Sequence, residues 1–134
     1  IKHTGRSMIF SASLPPALVA SVSEALDIIE EQPQLRIQLW KNTHRMLKGY
    51  KELGYDTGTS ETPIVPVIIK NSWKTYEMCK RLFEEGVFVN PVVSPAVPPG
   101  RELLRTSYMA THTDDQLNRV LQAFQKVGKE MRLI

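Results

Sequence analysis

The chain carries one cysteine, Cys79. A single thiol excludes an internal disulfide and leaves too few thiolates for a zinc or iron-sulfur centre, so a reducing compartment suits it. Long apolar runs are also missing. None approaches the roughly 18 residues of a membrane-spanning helix, and the first residues lack the charged, apolar and small-residue sections of a secretory signal. These absences read as a cytoplasmic protein. The 17 basic residues nearly balance the 14 acidic ones and lie scattered, which argues against a nucleic-acid surface. No phosphate loop, dinucleotide fingerprint, internal repeat or low-complexity segment occurs, and Gly5, Gly54, Gly58 and Gly100 are isolated turn glycines.

Several chemistries fall with these absences. The carboxylates cluster only as the neighbours Glu30 and Glu31, Glu84 and Glu85, Asp114 and Asp115, whose side chains diverge on a helix, so no metal site is expected. No nucleophile elbow surrounds a serine. The three histidines read as non-catalytic: His3 in the N-terminal segment, His44 on a polar helix side, and His112 beside a capping threonine, where it can bond helix-end or loop carbonyls.

What is present is the balance of a globular chain, 42% hydrophobic and 23% charged, enough for one domain with a modest core. The chain starts with Ile1 rather than methionine and reads as a piece of something longer. Residues 1–14 look like an extended lead-in segment, with Met8, Ile9 and Phe10 followed by small Ser11, Ala12 and Ser13. Residues 15–54 read as helices. Pro15 and Pro16 suit a first turn capped by Ser13, and Leu18, Val22, Ala25, Leu26 and Ile29 make one apolar stripe. Pro33 breaks the pattern, which resumes as Leu35, Leu39, Met46, Tyr50 and Leu53 until Gly54. Arg36, Lys41, Arg45, Lys48 and Lys51 form its solvated face.

Residues 64–134 read as a small α+β domain. Residues 64–69, IVPVII, suit a strand that Pro66 places near a sheet edge. Asn71 or Ser72 caps a helix to Gly86 with Tyr76, Cys79, Leu82 and Phe83 inward. Val87, Val89 and Val92 suggest a second strand and residues 103–109 a third. Thr113 to Gln116 matches a capping box opening a last helix with Leu117, Val120, Leu121, Phe124, Val127 and Met131 inward. The expected fold class is α+β: a small mixed or antiparallel sheet with helices packed on one face.

The densest candidate region is SPAVPPGRELLRTSYMATHT, residues 94–113. Arg105, flanked by Leu103, Leu104 and Tyr108, is expected to be at least half buried and so to require an anion. That anion is either a bound carboxylate or phosphate, or an Asp or Glu of the chain in an internal salt bridge. The other candidates are Ser11, Ala12 and Ser13, and the proline-rich turn at residues 95–100, expected at an end of the sheet.

GRSMIFSASLPPA near the start and VFVNPVVSPAVPPGRELLRTSYMATHT near the end resemble segments of the α-oxoamine synthases, over essentially the whole chain. This family of pyridoxal-phosphate enzymes includes serine palmitoyltransferase, 8-amino-7-oxononanoate synthase, glycine C-acetyltransferase and 5-aminolevulinate synthase. The resemblance implies the C-terminal portion of a fold-type I transferase, a homodimer that condenses an amino acid with an acyl-CoA with loss of carbon dioxide. Its cofactor, pyridoxal 5'-phosphate, acts as an electron sink. The Schiff-base lysine and catalytic histidine would lie upstream, so this piece alone is expected to be inactive; Lys70 and Lys74 lie outside the lysine motif and read as surface residues.

By the same resemblance, Arg105 occupies the position of the arginine that pairs with the amino-acid carboxylate. Ser11, Ala12 and Ser13 match a small-residue motif that reaches the cofactor phosphate of the partner subunit, although these serines would serve equally as a helix cap. Ala96 stands at a substrate-binding position where some oxononanoate synthases carry a threonine, and Val93 and Ser94 stand where some palmitoyltransferases carry an arginine. VNPVVSPAVP and MATHT look most like bacterial serine palmitoyltransferases, with oxononanoate synthase or glycine C-acetyltransferase as alternatives. The residues by themselves also admit a non-catalytic binding or regulatory module in which Arg105 grips an acidic ligand, or an interaction domain.

Overall fold

A computed structural model describes Thr4 and residues 14–134, so Ser11, Ala12, Ser13 and His3 lie outside the described residues. The chain divides into two units, Ile1–Gln34 and Leu35–Ile134. In the first, α1 spans Pro16–Glu31 with Pro15 at the N-cap, no side-chain cap, and a proline in the first turn. The cap expected at Ser13 is therefore replaced by Pro15; Pro16 omits an amide that a first turn leaves unbonded in any case. The expected stripe forms but is uncovered, with Leu18 and Leu26 54% and 57% exposed.

Pro33 opens α2, Pro33–Glu52, whose residues from Leu35 onward belong to the second unit. Gly54 ends it with φ +96, a conformation that only glycine adopts without strain. There follow β1 (Ile64–Ile68), α3 (Ser72–Glu84), β2 (Asn90–Val92), β3 (Leu103–Ser107) and α4 (Asp114–Glu130). The three strands form an antiparallel sheet in the order β1-β3-β2, with β3 central and Pro66 on an edge strand as its missing amide requires. The expected strand boundaries shorten. Val87 and Val89 are buried but precede β2, and the third strand stops at Ser107 rather than at residue 109.

Alternation along the sheet gives it one covered face. Val65 and Val67 of β1 and Leu104 and Thr106 of β3 are buried, while Arg105 and Ser107 are exposed. The covered face packs on Met46 and Tyr50 of α2, Met78 and Leu82 of α3, and Leu117, Phe124 and Val127 of α4. Three rings meet edge-on in this core, Tyr50 and Tyr55 lying 4.8 and 5.8 Å from Phe124 between centroids.

The inner stripe of α3 differs from expectation. Thr75, Met78 and Leu82 are buried and Cys79 partly so, whereas Tyr76 and Phe83 are 51% and 66% exposed. Each aromatic sits one residue past the buried line, a turn of about 100° around the helix axis. Angular position decides burial there, and ring size does not. The helix starts as expected: Asn71 Oδ1 accepts the Lys74 amide at 2.9 Å.

Candidate functional site

Arg105 lies mid-way along the central strand, opposite Pro66 of β1 and Asn90 of β2. It is exposed, contrary to the expected half-burial. Its neighbours in sequence, Leu104 and Thr106, are buried on the opposite face, where Thr106 Oγ1 donates to Val65 O at 2.8 Å. Arg105 makes no ion pair among the described residues, and every Asp and Glu of the chain is among them. That removes the internal salt bridge and leaves the guanidinium available to an external anion.

A cavity of about 550 Å³ is lined by Arg105 and by other polar residues that include Asn90, Ser107, His112, Gln116 and Arg119. No carboxylate lines it. A wall with donors and no acids leaves nothing to compete with an external anion for the guanidinium.

The far wall is the loop from β3 to α4, locked by a group that the sequence reading missed. Asn42 of α2 is 1% exposed; its Nδ2 donates to Met109 O at 3.0 Å and to His112 O at 3.2 Å, while its Oδ1 accepts from Gln38 Nε2 at 2.9 Å. The signal was an amide on the inward spacing between Leu39 and Met46, where an unpaired polar group would be costly. His112 keeps a structural bond, but not to a carbonyl as expected: its Nδ1 accepts the Met109 amide at 3.1 Å. The capping box then forms in full, Thr113 N donating to Gln116 Oε1 at 2.9 Å and Gln116 N to Thr113 Oγ1 at 3.3 Å. Arg45 joins α2 to α4 through Asp114 and through Asn118 Oδ1 at 2.6 Å.

Tyr108 closes the inner end, its hydroxyl 2.7 Å from that of Tyr50. Burial raises both phenols: Tyr108 is pushed up to about 12, and Tyr50 well above its ordinary value with a further contribution from Tyr108. The pair is therefore neutral and structural at ordinary pH.

The proline-rich turn stands apart from this cavity. Ala96 is exposed, its amide bonded to Val93 O at 2.9 Å, and it does not line the Arg105 cavity. Val97 and Pro98 instead border a shallow groove of about 520 Å³ with Pro66, Ile68, Arg101 and Leu103. The two substrate-binding candidates are thus not brought together within this chain. The turn is tied down by Glu102, 5% exposed and not foreseen, whose carboxylate accepts from Gly100 N at 3.0 Å and Ser72 Oγ at 3.2 Å. Lys70 lies 3.5 Å from Asp56, Lys74 is exposed, and neither lines the cavity. His44 is exposed and stacks on Trp40 at 5.4 Å. No helix among the described residues is long and apolar enough to cross a membrane.

Comparison with known proteins adds independent findings. Residues 1–124 match the family of class I and II aminotransferases. The chain is 46% identical over 134 residues to an 8-amino-7-oxononanoate synthase of Thermoanaerobacter pseudethanolicus, covering 100% of this chain and 34% of that protein. It is 46% identical over 133 residues to a serine palmitoyltransferase of Sphingobacterium spiritivorum, covering 99% and 33%. A solved SPT structure with PLP superposes with a TM-score of 0.90 at 33% identity, over 99% of this chain and 34% of that one. The chain thus spans about a third of the length of the curated relatives that it matches.

Proposed function

The chain belongs to the aminotransferase class I and II family, and from that premise we propose that it is the C-terminal portion of a pyridoxal-phosphate-dependent α-oxoamine synthase. The complete enzyme would condense an amino acid with an acyl-CoA, releasing carbon dioxide. Relatives of the oxononanoate and palmitoyltransferase kinds match equally well in sequence. The MATHT and VNPVVSPAVP segments, together with the superposition on SPT, favour a serine palmitoyltransferase.

One observation carries this reading: Arg105 is unpaired at a cavity free of carboxylates. Its planar fork matches a carboxylate with two parallel bonds, so the guanidinium both binds the amino acid and fixes its rotation. Orientation would matter because the hold on the carboxylate sets which bond at Cα is presented for cleavage. When bound, the cofactor supplies an electron sink for the carbanion left at Cα. The residues on this cavity fit the substrate's carboxylate; no lysine among the described residues lines it, and by the family resemblance the lysine that carries the cofactor would lie upstream.

The remaining assignments follow from the family. Ser11 and Ser13 would donate hydroxyls to the cofactor phosphate of the partner subunit, Ala12 allowing close approach, which makes the enzyme a homodimer. Ala96 would lie on the side from which the acyl-CoA arrives. Its reducing location would be the cytoplasm.

The test is Arg105→Ala in the complete enzyme, titrated with glycine, L-alanine and L-serine while the cofactor's visible absorbance is followed. A charge-assisted bond is worth about 1.5 to 3 kcal/mol, so affinity should fall about 10- to 100-fold with the cofactor band retained. Arg105→Lys, which keeps the charge without the fork, should recover only part of it. Unchanged affinity in Arg105→Ala overturns the assignment.

A further inference from the structure

We propose that His112 is the second ligand donor of the cavity, its neutral Nε2–H bonding the same carboxylate that Arg105 grips. The inference rests on the reading of Arg105 given above. His112 lines the cavity together with Arg105. Its tautomer is set by the backbone: Nδ1 accepts the Met109 amide at 3.1 Å, so the proton of the neutral ring resides on Nε2. Among the described residues, that Nε2 has no hydrogen-bond partner. A fixed donor without an acceptor, on a wall without carboxylates, is what an anion would complete.

The ring is also held still from several directions, as a preorganised donor requires. It meets the Tyr108 ring edge-on at 6.2 Å and 73°, and Tyr108 is locked by its hydroxyl to Tyr50 at 2.7 Å. The His112 carbonyl is held by Asn42 at 3.2 Å, and the next residue is the N-cap of α4 with both capping-box bonds made. Acceptance of one backbone amide does not by itself call for an imidazole, because a shorter amide side chain offers an oxygen at the same place. The second nitrogen is what histidine adds.

That difference supplies the experiment. In His112→Asn the side-chain oxygen replaces Nδ1 and keeps the Met109 bond, while nothing stands where Nε2 was. In His112→Gln the amide nitrogen reaches the Nε2 position and the Nδ1 acceptor is lost. Both are made in the complete enzyme. Dissociation constants are measured by cofactor absorbance for whichever of glycine, L-alanine and L-serine the wild type binds, and for its counterpart amine lacking the carboxylate.

His112→Asn should weaken the amino acid about tenfold, the scale of one hydrogen bond to a charged group, and leave the amine unchanged. His112→Gln should retain more of the affinity while melting earlier. Wild-type amino-acid affinity in His112→Asn overturns the proposal, and so does an equal loss for acid and amine, which would mark a structural role only. Arg105→Ala, measured alongside, separates the two readings. If it binds normally the carboxylate site itself is wrong; if it is weakened while His112→Asn is not, only the second donor is lost.

Discussion

Gly128→Ala sets helix propensity against packing, and the two disagree in sign. Gly128 lies inside α4, where replacing glycine with alanine in an exposed helix gains about 1 kcal/mol. Here a Cβ would stand 2.0 Å from Tyr55 Oη and 3.0 Å from both Tyr55 Cζ and Ile134 Cγ1. Tyr55 is buried and donates to Phe124 O at 2.7 Å, so it cannot step aside without giving up a buried bond. Overpacking costs about 1 to 3 kcal/mol, and the broken bond about 1 to 3 more. The net destabilisation is about 3 kcal/mol after the helix gain, within a factor of two. Calorimetry of the complete protein should show the transition containing this unit falling by several degrees. Tyr55→Phe in the same background removes the oxygen at 2.0 Å, so the double variant should lose less than the two singles combined. Gly49→Ala is the internal control. Its Cβ would meet Leu121, both terminal methyls at 2.7 Å and Cγ at 3.3 Å, on a part-buried and flexible side chain, and stability should stay within about 1 kcal/mol of wild type. A higher melting temperature for Gly128→Ala refutes the packing argument.

Thr113→Ala removes half of the capping box and should cost about 1 kcal/mol, seen as faster hydrogen exchange at the Gln116 amide that Thr113 now accepts; unchanged exchange would contradict it. The Tyr50–Tyr108 pair predicts alkaline instability. Both phenols bind their protons more tightly folded than unfolded, so their contribution is whole below the ordinary phenol value near 10 and is lost as pH rises from about 10 through about 12. Urea midpoints measured from pH 9 to 12 should fall more steeply for wild type than for a Tyr50→Phe, Tyr108→Phe double variant, and parallel curves would refute it.

The elements were legible wherever a local rule acts alone. Pro33 and Gly54 bound α2, Asn71 caps α3 and the Thr113 box opens α4, because each satisfies or withholds backbone bonds within a few residues. The β2 region was less legible. Val87 and Val89 are buried by α3 and the sheet, and their β-branched character reports burial; strand pairing is confined to residues that reach β3. Tyr76 and Phe83 misled in the opposite way, since a large ring counts as inward only if its angle on the helix agrees. The polar ties of Asn42 to the MATHT loop and of Glu102 to Ser72 of α3 join residues 67 or more and 30 apart in sequence, and no short window along the chain contains both partners.

At the candidate site the expected surroundings of Arg105 differ from those observed. Leu104 next to Arg105 suggests burial, yet adjacent residues of a strand face opposite ways, so the leucine's burial argues for the arginine's exposure. A buried guanidinium would have required an anion, bound or internal, and a carboxylate such as Glu102 lies only three residues away in sequence. Glu102 instead turns to Ser72 and Gly100. Arg45, Arg81 and Lys126 take acidic partners of their own across or along the helices. Arg105 is left at a cavity without carboxylates, available to an anion from outside the chain.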